Sequence, residues 1–340
     1  MARALRPTYL VLTVIEVFLV VQALVVLAVL YRSQGILLGV SASMGVVTLL
    51  YLSSGIAFRI VVEKARGRLP DYLQVIRSPE WILTSFRLAV VTALTTYVYG
   101  AIKISVPLLH RRIFDEELWA LDRWLLFGLS PNVFFLHLFG SDGFLRAIDF
   151  LYAKLFGVAL VLSLPFLLSL RSNSLRVGFA AGKVALWTLG AWLYLAIPSL
   201  GPAYTFHQVW KPVQDLFPTS RLWQYRLIRN YEMVLEIPRG TMNPEINMLY
   251  GVAAFPSMHV AFQTYVALWL FRISPRAGVL GSISAVIVFL GSVLTGWHYL
   301  IDSVAGVLLA VLCFAISRRV ERALVHHEAG GAAVEGDRAP

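Results

Sequence analysis

Eight apolar runs constrain this chain more than any other feature of its sequence. They lie near Tyr9–Tyr31, Ile36–Val62, Phe86–Leu109, Phe144–Leu170, Leu175–Pro198, Ala253–Phe271, Arg276–Leu294 and Tyr299–Ser317. A bilayer core takes about 20 mostly apolar residues per helix, and lipid offers no partner to an open backbone group. The runs therefore predict an all-α, polytopic membrane helical bundle of about eight transmembrane helices. A β-barrel would show short alternating segments instead. Charged residues make up 14% of the chain and hydrophobic ones 58%. An ordinary soluble domain carries about 25% charge, so a soluble enzyme and a disordered chain are both excluded. The single Cys313 rules out a disulfide framework within the chain and a cysteine-based metal site. The first run is too long for a signal peptide and has no small-residue cleavage site, so it reads as a retained span.

Eight spans put both termini on one side. The short connections on that side hold Arg59, Lys64, Arg66, Arg68, Arg77, Arg171, Arg176, Arg272, Arg276, Arg318, Arg319 and Arg322. Positive charge in short loops marks the cytoplasm. Both termini are expected there, and loops 110–143 and 199–252 are expected on the extracytoplasmic (periplasmic or lumenal) face. The net charge of +10 is absorbed by this asymmetry. No soluble basic face suggests a nucleic-acid partner. The chain divides into two N-terminal helices with their connection (1–85), six further spans with the two outer loops (86–317) and a tail rich in Ala, Gly and Glu (318–340), which reads as disordered and cytoplasmic.

Loops as long as these two are usually functional or disordered. The first contains FDEELWALDRWLLFG, in which Phe114, Leu118, Leu121 and Leu125 recur at helical spacing. That pattern predicts an amphipathic helix lying at the interface, as a structural belt or as a wall guiding lipid. The second mixes Trp210, Trp223, Tyr225 and Tyr231 with four arginines and reads as folded against the membrane. Within the runs, Glu16, Lys103, Asp149 and Lys154 are costly in lipid. Glu16 is expected to find a neighbouring helix or a water. Asp149 and Lys154 are one residue off the best spacing for a direct pair.

Three stretches reach the same face: Tyr194–Tyr204, Ala254–Phe262 and Thr295–Gly306. His298 and Asp302 are four apart at a helix start and share a side of it. A carboxylate there can accept from one ring nitrogen, which fixes the tautomer and frees the other nitrogen as nucleophile or base. Pro256, Ser257 and Met258 precede His259 at a second helix start, where free backbone N–H groups favour an anion. His259 is suited to protonate a leaving oxygen. Of seven histidines, only His259 and His298 open spans on this side. Together they fit phosphoryl or acyl transfer. Two histidines and one carboxylate make a zinc site the weaker reading.

FPSMH followed by HYLID resembles the type 2 phosphatidic acid phosphatase superfamily, whose pattern is P-S-G-H and then S-R-x5-H-x3-D. Within it the chain is most similar to the inositolphosphotransferase branch, which includes the fungal inositol phosphorylceramide synthase. The resemblance runs from about Phe86 to Ser317 and extends to Gly296, to PSLGP at Pro198–Pro202 and to Phe114–Gly128. It implies a six-helix phosphatase-type core with catalytic His259, His298 and Asp302. His298 would form a phosphohistidine, Asp302 would stabilise it, and His259 would serve as acid and then base. Phosphate contacts would come from Pro256, Ser257 and Met258, with Gly201 and Pro202 of PSLGP beside them. No cofactor or metal is implied, and the partners are a membrane phospholipid donor and a lipid acceptor. The superfamily arginine six residues before the second histidine is Ser292 here, and K-x6-R-P is not clear. Arg221, Arg226, Arg229, Arg239 and Lys154 are the candidates to neutralise phosphate in its place. The implied activity is transfer of a phospho-headgroup, such as inositol phosphate, to a lipid hydroxyl. The alternatives are hydrolysis of phosphatidic acid or a polyprenyl (di)phosphate, and a lipid transporter or scaffold with a degenerate site.

Overall fold

The computed structural model describes residues 7–34, 42–164, 170–241, 243 and 245–336. All its regular elements are helical. In chain order they are α1 (Pro7–Gln34), α2 (Ala42–Ala65), α3 (Leu69–Ile76), α4 (Pro79–Leu109), α5 (Asp115–Leu125), α6 (Pro131–Leu138), α7 (Asp142–Leu164), α8 (Asn173–Ala196), α9 (Pro202–Thr205), α10 (Pro218–Leu235), α11 (Met258–Ile273), α12 (Pro275–Leu294) and α13 (Leu300–Gly336), with two 3-10 turns between α9 and α10. Five are long and apolar enough to cross a membrane, over Pro7–Arg32, Pro79–Leu109, Asn173–Ala196, Pro275–Leu294 and Leu300–His327. The other three expected spans fall on α2, α7 and α11. Residues 36–41 and 165–169 of those runs lie outside the described residues.

Helix ends follow local chemistry. Ser78 and Ser172 accept from Trp81 N and Leu175 N to cap α4 and α8. Proline opens α4, α6, α9, α10 and α12 within the first turn, where its missing N–H costs nothing. α11 is only 16 residues long, because the chain bends through Phe255 and Pro256 before Ser257 caps the helix at Val260 N. The last helix runs past the expected membrane exit. Residues 318–336, assigned by composition to a disordered tail, continue α13. Arg, Glu, Ala and Leu between Arg318 and Ala329 are good helix formers, and Glu321 anchors the first turns by pairing with Arg272 at 3.4 Å and with Arg318.

One core joins α1, α4, α8, α11 and α13, with Phe179, Tyr265 and Trp269 fully buried in it. α7 and α12 close the other flank through Tyr152, Val260 and Val288. α4, α8 and α12 run towards one end of the bundle, and α7, α11 and α13 run away from it. That end carries α5, α6, α9 and α10, and is called the site end below. At the opposite end, buried Glu63 collects Arg59 at 2.8 Å, Arg68 at 3.3 Å and Arg171 at 3.7 Å.

α1 attaches through polar contacts. Glu16 binds Arg87 of α4 through two bonds of 2.8 and 2.7 Å, and Gln22 accepts from Trp192 Nε1 at 2.7 Å. Glu16 thus meets its expected neighbour. Replacing Arg87 with Met leaves that half-buried carboxylate without its partner, against apolar surface, which is unfavourable. The thermal midpoint in detergent should fall for Arg87→Met and recover in the double variant Glu16→Gln/Arg87→Met. Additive losses would mean that the pair does not hold α1.

Candidate active site

A cavity of about 400 Å³ opens at the site end. Its walls come from α4, α7, α8 and the start of α11, its floor includes Met258, and His298 enters from the α12–α13 turn. Thr219, Ser220, Trp223 and Leu227 of α10 roof it together with residues 249–253. Asn230 ties the two roof pieces together, donating to the Asn247 and Tyr250 carbonyls and accepting from Asn247 N at 2.8 Å.

The sequence motifs converge here. The His259 and His298 rings lie 6.1 Å apart and both line the cavity. His259 is flanked by the rings of Tyr152 at 5.3 Å and Phe156 at 4.1 Å, one turn apart on α7. His298 Nδ1 lies 2.9 Å from the Ala254 carbonyl. A carbonyl can only accept, so Nδ1 carries the proton and Nε2 keeps its lone pair. Asp302 stands behind at 3.5 Å from Nδ1, and its Oδ2 accepts from Tyr299 N at 2.9 Å. The closer orienting group is therefore the carbonyl, not the carboxylate that helical spacing suggested. Asn132 holds the turn from α6, donating to the Val293 and His298 carbonyls at 2.7 and 3.2 Å.

Two aspartates of α5 assemble this end. Asp115 accepts from Leu200 N at 2.9 Å, Gly201 N at 2.8 Å and Tyr299 Oη at 2.7 Å, which joins PSLGP to HYLID. Asp122 accepts from Leu300 N at 2.6 Å and Ile301 N at 2.8 Å, capping α13. Gly201 has φ of 109°, which only glycine adopts freely, and a Cβ there would sit 2.5 Å from the Trp297 carbonyl. α5 has two distinct faces: Leu121 is 40%, Trp124 75% and Leu125 42% exposed, while Asp115, Leu118 and Asp122 are buried. At a membrane surface the polar face is the one that turns inward.

Of the expected phosphate contacts, Met258 lines the cavity. Pro256, Ser257, Gly201 and Pro202 sit one layer behind it, where Ser257 N donates to the Asp302 carbonyl at 2.9 Å. The candidate cations point elsewhere. Arg221 pairs with Asp215 at 2.8 Å beside a separate pocket, and Arg226 lies over the Trp223 ring. Arg229 contacts Tyr225 Oη, Arg239 reaches the Arg32 carbonyl, and exposed Lys154 lies over the Phe150 ring. The cation in the cavity wall is Lys103 of α4, with Nζ over the Tyr99 and Tyr194 rings at 5.7 and 5.3 Å. Its signal in the sequence was its position, a charge near the site end of a membrane helix. Ser292 faces away, bonded to the Phe289 carbonyl and to Ser303 Oγ.

No carboxylate lines the cavity among the described residues. Burial pushes the His298 imidazolium down to about 3, the Lys103 charge adds to the push, and the Ala254 carbonyl opposes it. The ring is therefore neutral across the neutral pH range, as a nucleophile requires. Among the described residues no three His, Cys, Asp or Glu side chains cluster closely enough to hold a metal ion.

A family model described as the PAP2 superfamily matches residues 116–316, more than half of the chain. No curated protein and no solved structure matches it.

Two outcomes follow from this geometry. Asp115→Ala strands three buried donors, each worth about 1–3 kcal/mol when unsatisfied, so both the thermal midpoint and activity should fall sharply, and Asp115→Asn should lose less. Lys103→Met removes one of the two causes that depress His298. The acid limb of kcat/KM should then move from well below 6.5 up towards that ordinary value, because the limb reports the free enzyme's pKa. An unmoved limb in the residual activity would mean that the Lys103 charge does not reach His298.

Proposed function

Because this chain belongs to the PAP2 superfamily, an integral membrane family of lipid phosphatase and phosphotransferase type, we propose that it is a lipid phosphotransferase working through a phosphohistidine on His298. The observation that carries this reading is the pairing of a neutral His298, with Nε2 free, and His259 6.1 Å away, in a cavity whose only charged side chain among the described residues is Lys103. A phosphodiester brought between the rings meets positive charge from Lys103. Nε2 attacks phosphorus while His259 gives its proton to the departing alkoxide, so a P–N bond forms as the P–O bond to the diacylglycerol breaks. In the second step His259 takes the proton of the acceptor hydroxyl, whose oxygen attacks the phosphohistidine and regenerates His298. Asp302 and the Ala254 carbonyl stabilise the ring while it carries charge.

The roof favours transfer over hydrolysis. Trp223, Leu227 and Leu249 at the mouth exclude water and suit a lipid acceptor. The Phe114–Gly128 and PSLGP segments, joined through Asp115, support the inositolphosphotransferase-like reading, with phosphatidylinositol as donor and a ceramide-type hydroxyl as acceptor. We also read the site end as extracytoplasmic and the termini as cytoplasmic. Arg59, Arg68, Arg171, Arg272 and Arg318 gather at the opposite end around Glu63 and Glu321, and this excess of arginine supports that orientation under the positive-inside rule.

The experiment is incubation of the purified protein with headgroup-labelled phosphatidylinositol, with and without ceramide. Label should appear on ceramide, and His298→Ala should lower turnover by at least about 1,000-fold. Release of water-soluble phosphate alone would assign the chain to the hydrolases of the family, and full turnover by His298→Ala would remove the covalent mechanism. Orientation is tested separately by Phe127→Cys, at a position 97% exposed, in a chain whose one native cysteine is buried. An impermeant maleimide should label it from outside intact cells.

A further inference from the structure

Three buried polar atoms on residues that line the cavity have no hydrogen-bond partner: Tyr152 Oη, Trp187 Nε1 and Ser220 Oγ. A buried donor left unpaired costs about 1–3 kcal/mol, so each such group in a native fold calls for an explanation. Tyr152 is the one beside the chemistry. It is 3% exposed, and its ring flanks His259. Its position depends on α12, where a Cβ on Gly291 would come within 2.7 Å of Tyr152 Cβ. α12 contributes no side chain to the cavity at this level. It yields space, and α7 fills that space with a phenol.

A neutral phenol is a donor in search of an acceptor. The group that must come between the His259 and His298 rings is a phosphoryl group, whose non-bridging oxygens only accept. Lys103 approaches from α4, on the side of Tyr99 and Tyr194, which leaves the α7 side to be served. We propose that Tyr152 is a further catalytic residue: its hydroxyl donates a hydrogen bond to a non-bridging phosphoryl oxygen of the lipid substrate, and the bond strengthens as charge builds there during attack. This rests on the reading of His298 as the nucleophile.

Tyr152→Phe deletes one oxygen and keeps the ring against His259 and Gly291. In the purified full chain, kcat should fall about 100-fold, the loss typical of one removed oxyanion donor, with KM nearly unchanged. Inhibition by orthovanadate, a probe that mimics phosphorus under attack, should weaken about 10-fold or more, since such analogues report transition-state contacts. The thermal midpoint should hold or rise, because the hydroxyl removed was unpaired. Tyr72→Phe is the control: its hydroxyl is also buried and unpaired but lies at the opposite end, and turnover should not change. Wild-type turnover and vanadate sensitivity in Tyr152→Phe overturn the proposal. So does a loss of turnover that tracks a lowered midpoint while vanadate inhibition is kept, since that outcome assigns Tyr152 to packing. Full turnover by His298→Ala defeats the phosphohistidine reading first, and the role of Tyr152 falls with it.

Discussion

Three buried aspartates hold the site end together, and each does so in the same way, by gripping two consecutive backbone N–H groups. Asp115 takes Leu200 and Gly201 ahead of α9, Asp122 takes Leu300 and Ile301 at the start of α13, and Asp149 takes Thr219 and Ser220 at the start of α10. Helix starts leave N–H groups unpaired and carry positive dipole ends, so a carboxylate there gains two charge-assisted bonds. Apolar helix–helix packing permits small slides along the helix axes. These bonds do not, because each fixes a helix start to a particular point on α5 or α7. The positions of His298, of the roof and of PSLGP follow from them.

The same arrangement keeps negative charge out of the cavity. Asp115, Asp122 and Asp302 are all within one layer of the catalytic residues, yet they face backbone donors rather than the open space. The lining therefore combines one lysine, two imidazoles and a majority of aromatic and aliphatic side chains. Such a lining suits the proposed phosphodiester lipid, with donors and positive charge for its phosphate and apolar walls for its chains. The alternative of carboxylates in the lining would repel the substrate in a low-dielectric setting, where like charges cost most.

The sequence made the depth of each residue legible but not its direction. Apolar runs located the spans, and motifs at their ends put His259, His298 and Asp302 at one level of the bundle. Lys103 was visible as a charge in a membrane helix. That it faces α8 and the histidines depends on how α4 packs, which a linear pattern does not encode. The loop arginines looked like better candidates because they were numerous and near the right level, but exposed arginines gain more from water, rings and Asp215 than from a dry cavity. The orientation of α5 was hidden for a related reason. An amphipathic pattern gives two faces, and only the surroundings decide which is inside. With lipid outside, Trp124 and Leu125 face out while Asp115 and Asp122 face in.

Without substrate the cavity is electrostatically unbalanced. Lys103 is half-buried in the wall that holds two imidazoles, with aromatic faces as its nearest partners, and His298 responds by staying neutral. Polar donors such as Tyr152 Oη and Trp187 Nε1 are also unpaired. An anionic phosphoryl group relieves both conditions at once. On the proposed reading its charge offsets Lys103 and its oxygens supply acceptors for the orphan donors. In the proposed mechanism the neutral diacylglycerol of the first step would offer none of this charge and leave readily, while the phosphoryl group would stay on His298 until an acceptor arrives. The frame of aspartates makes such a site possible, because it fixes these groups in place before the ligand that satisfies them is bound.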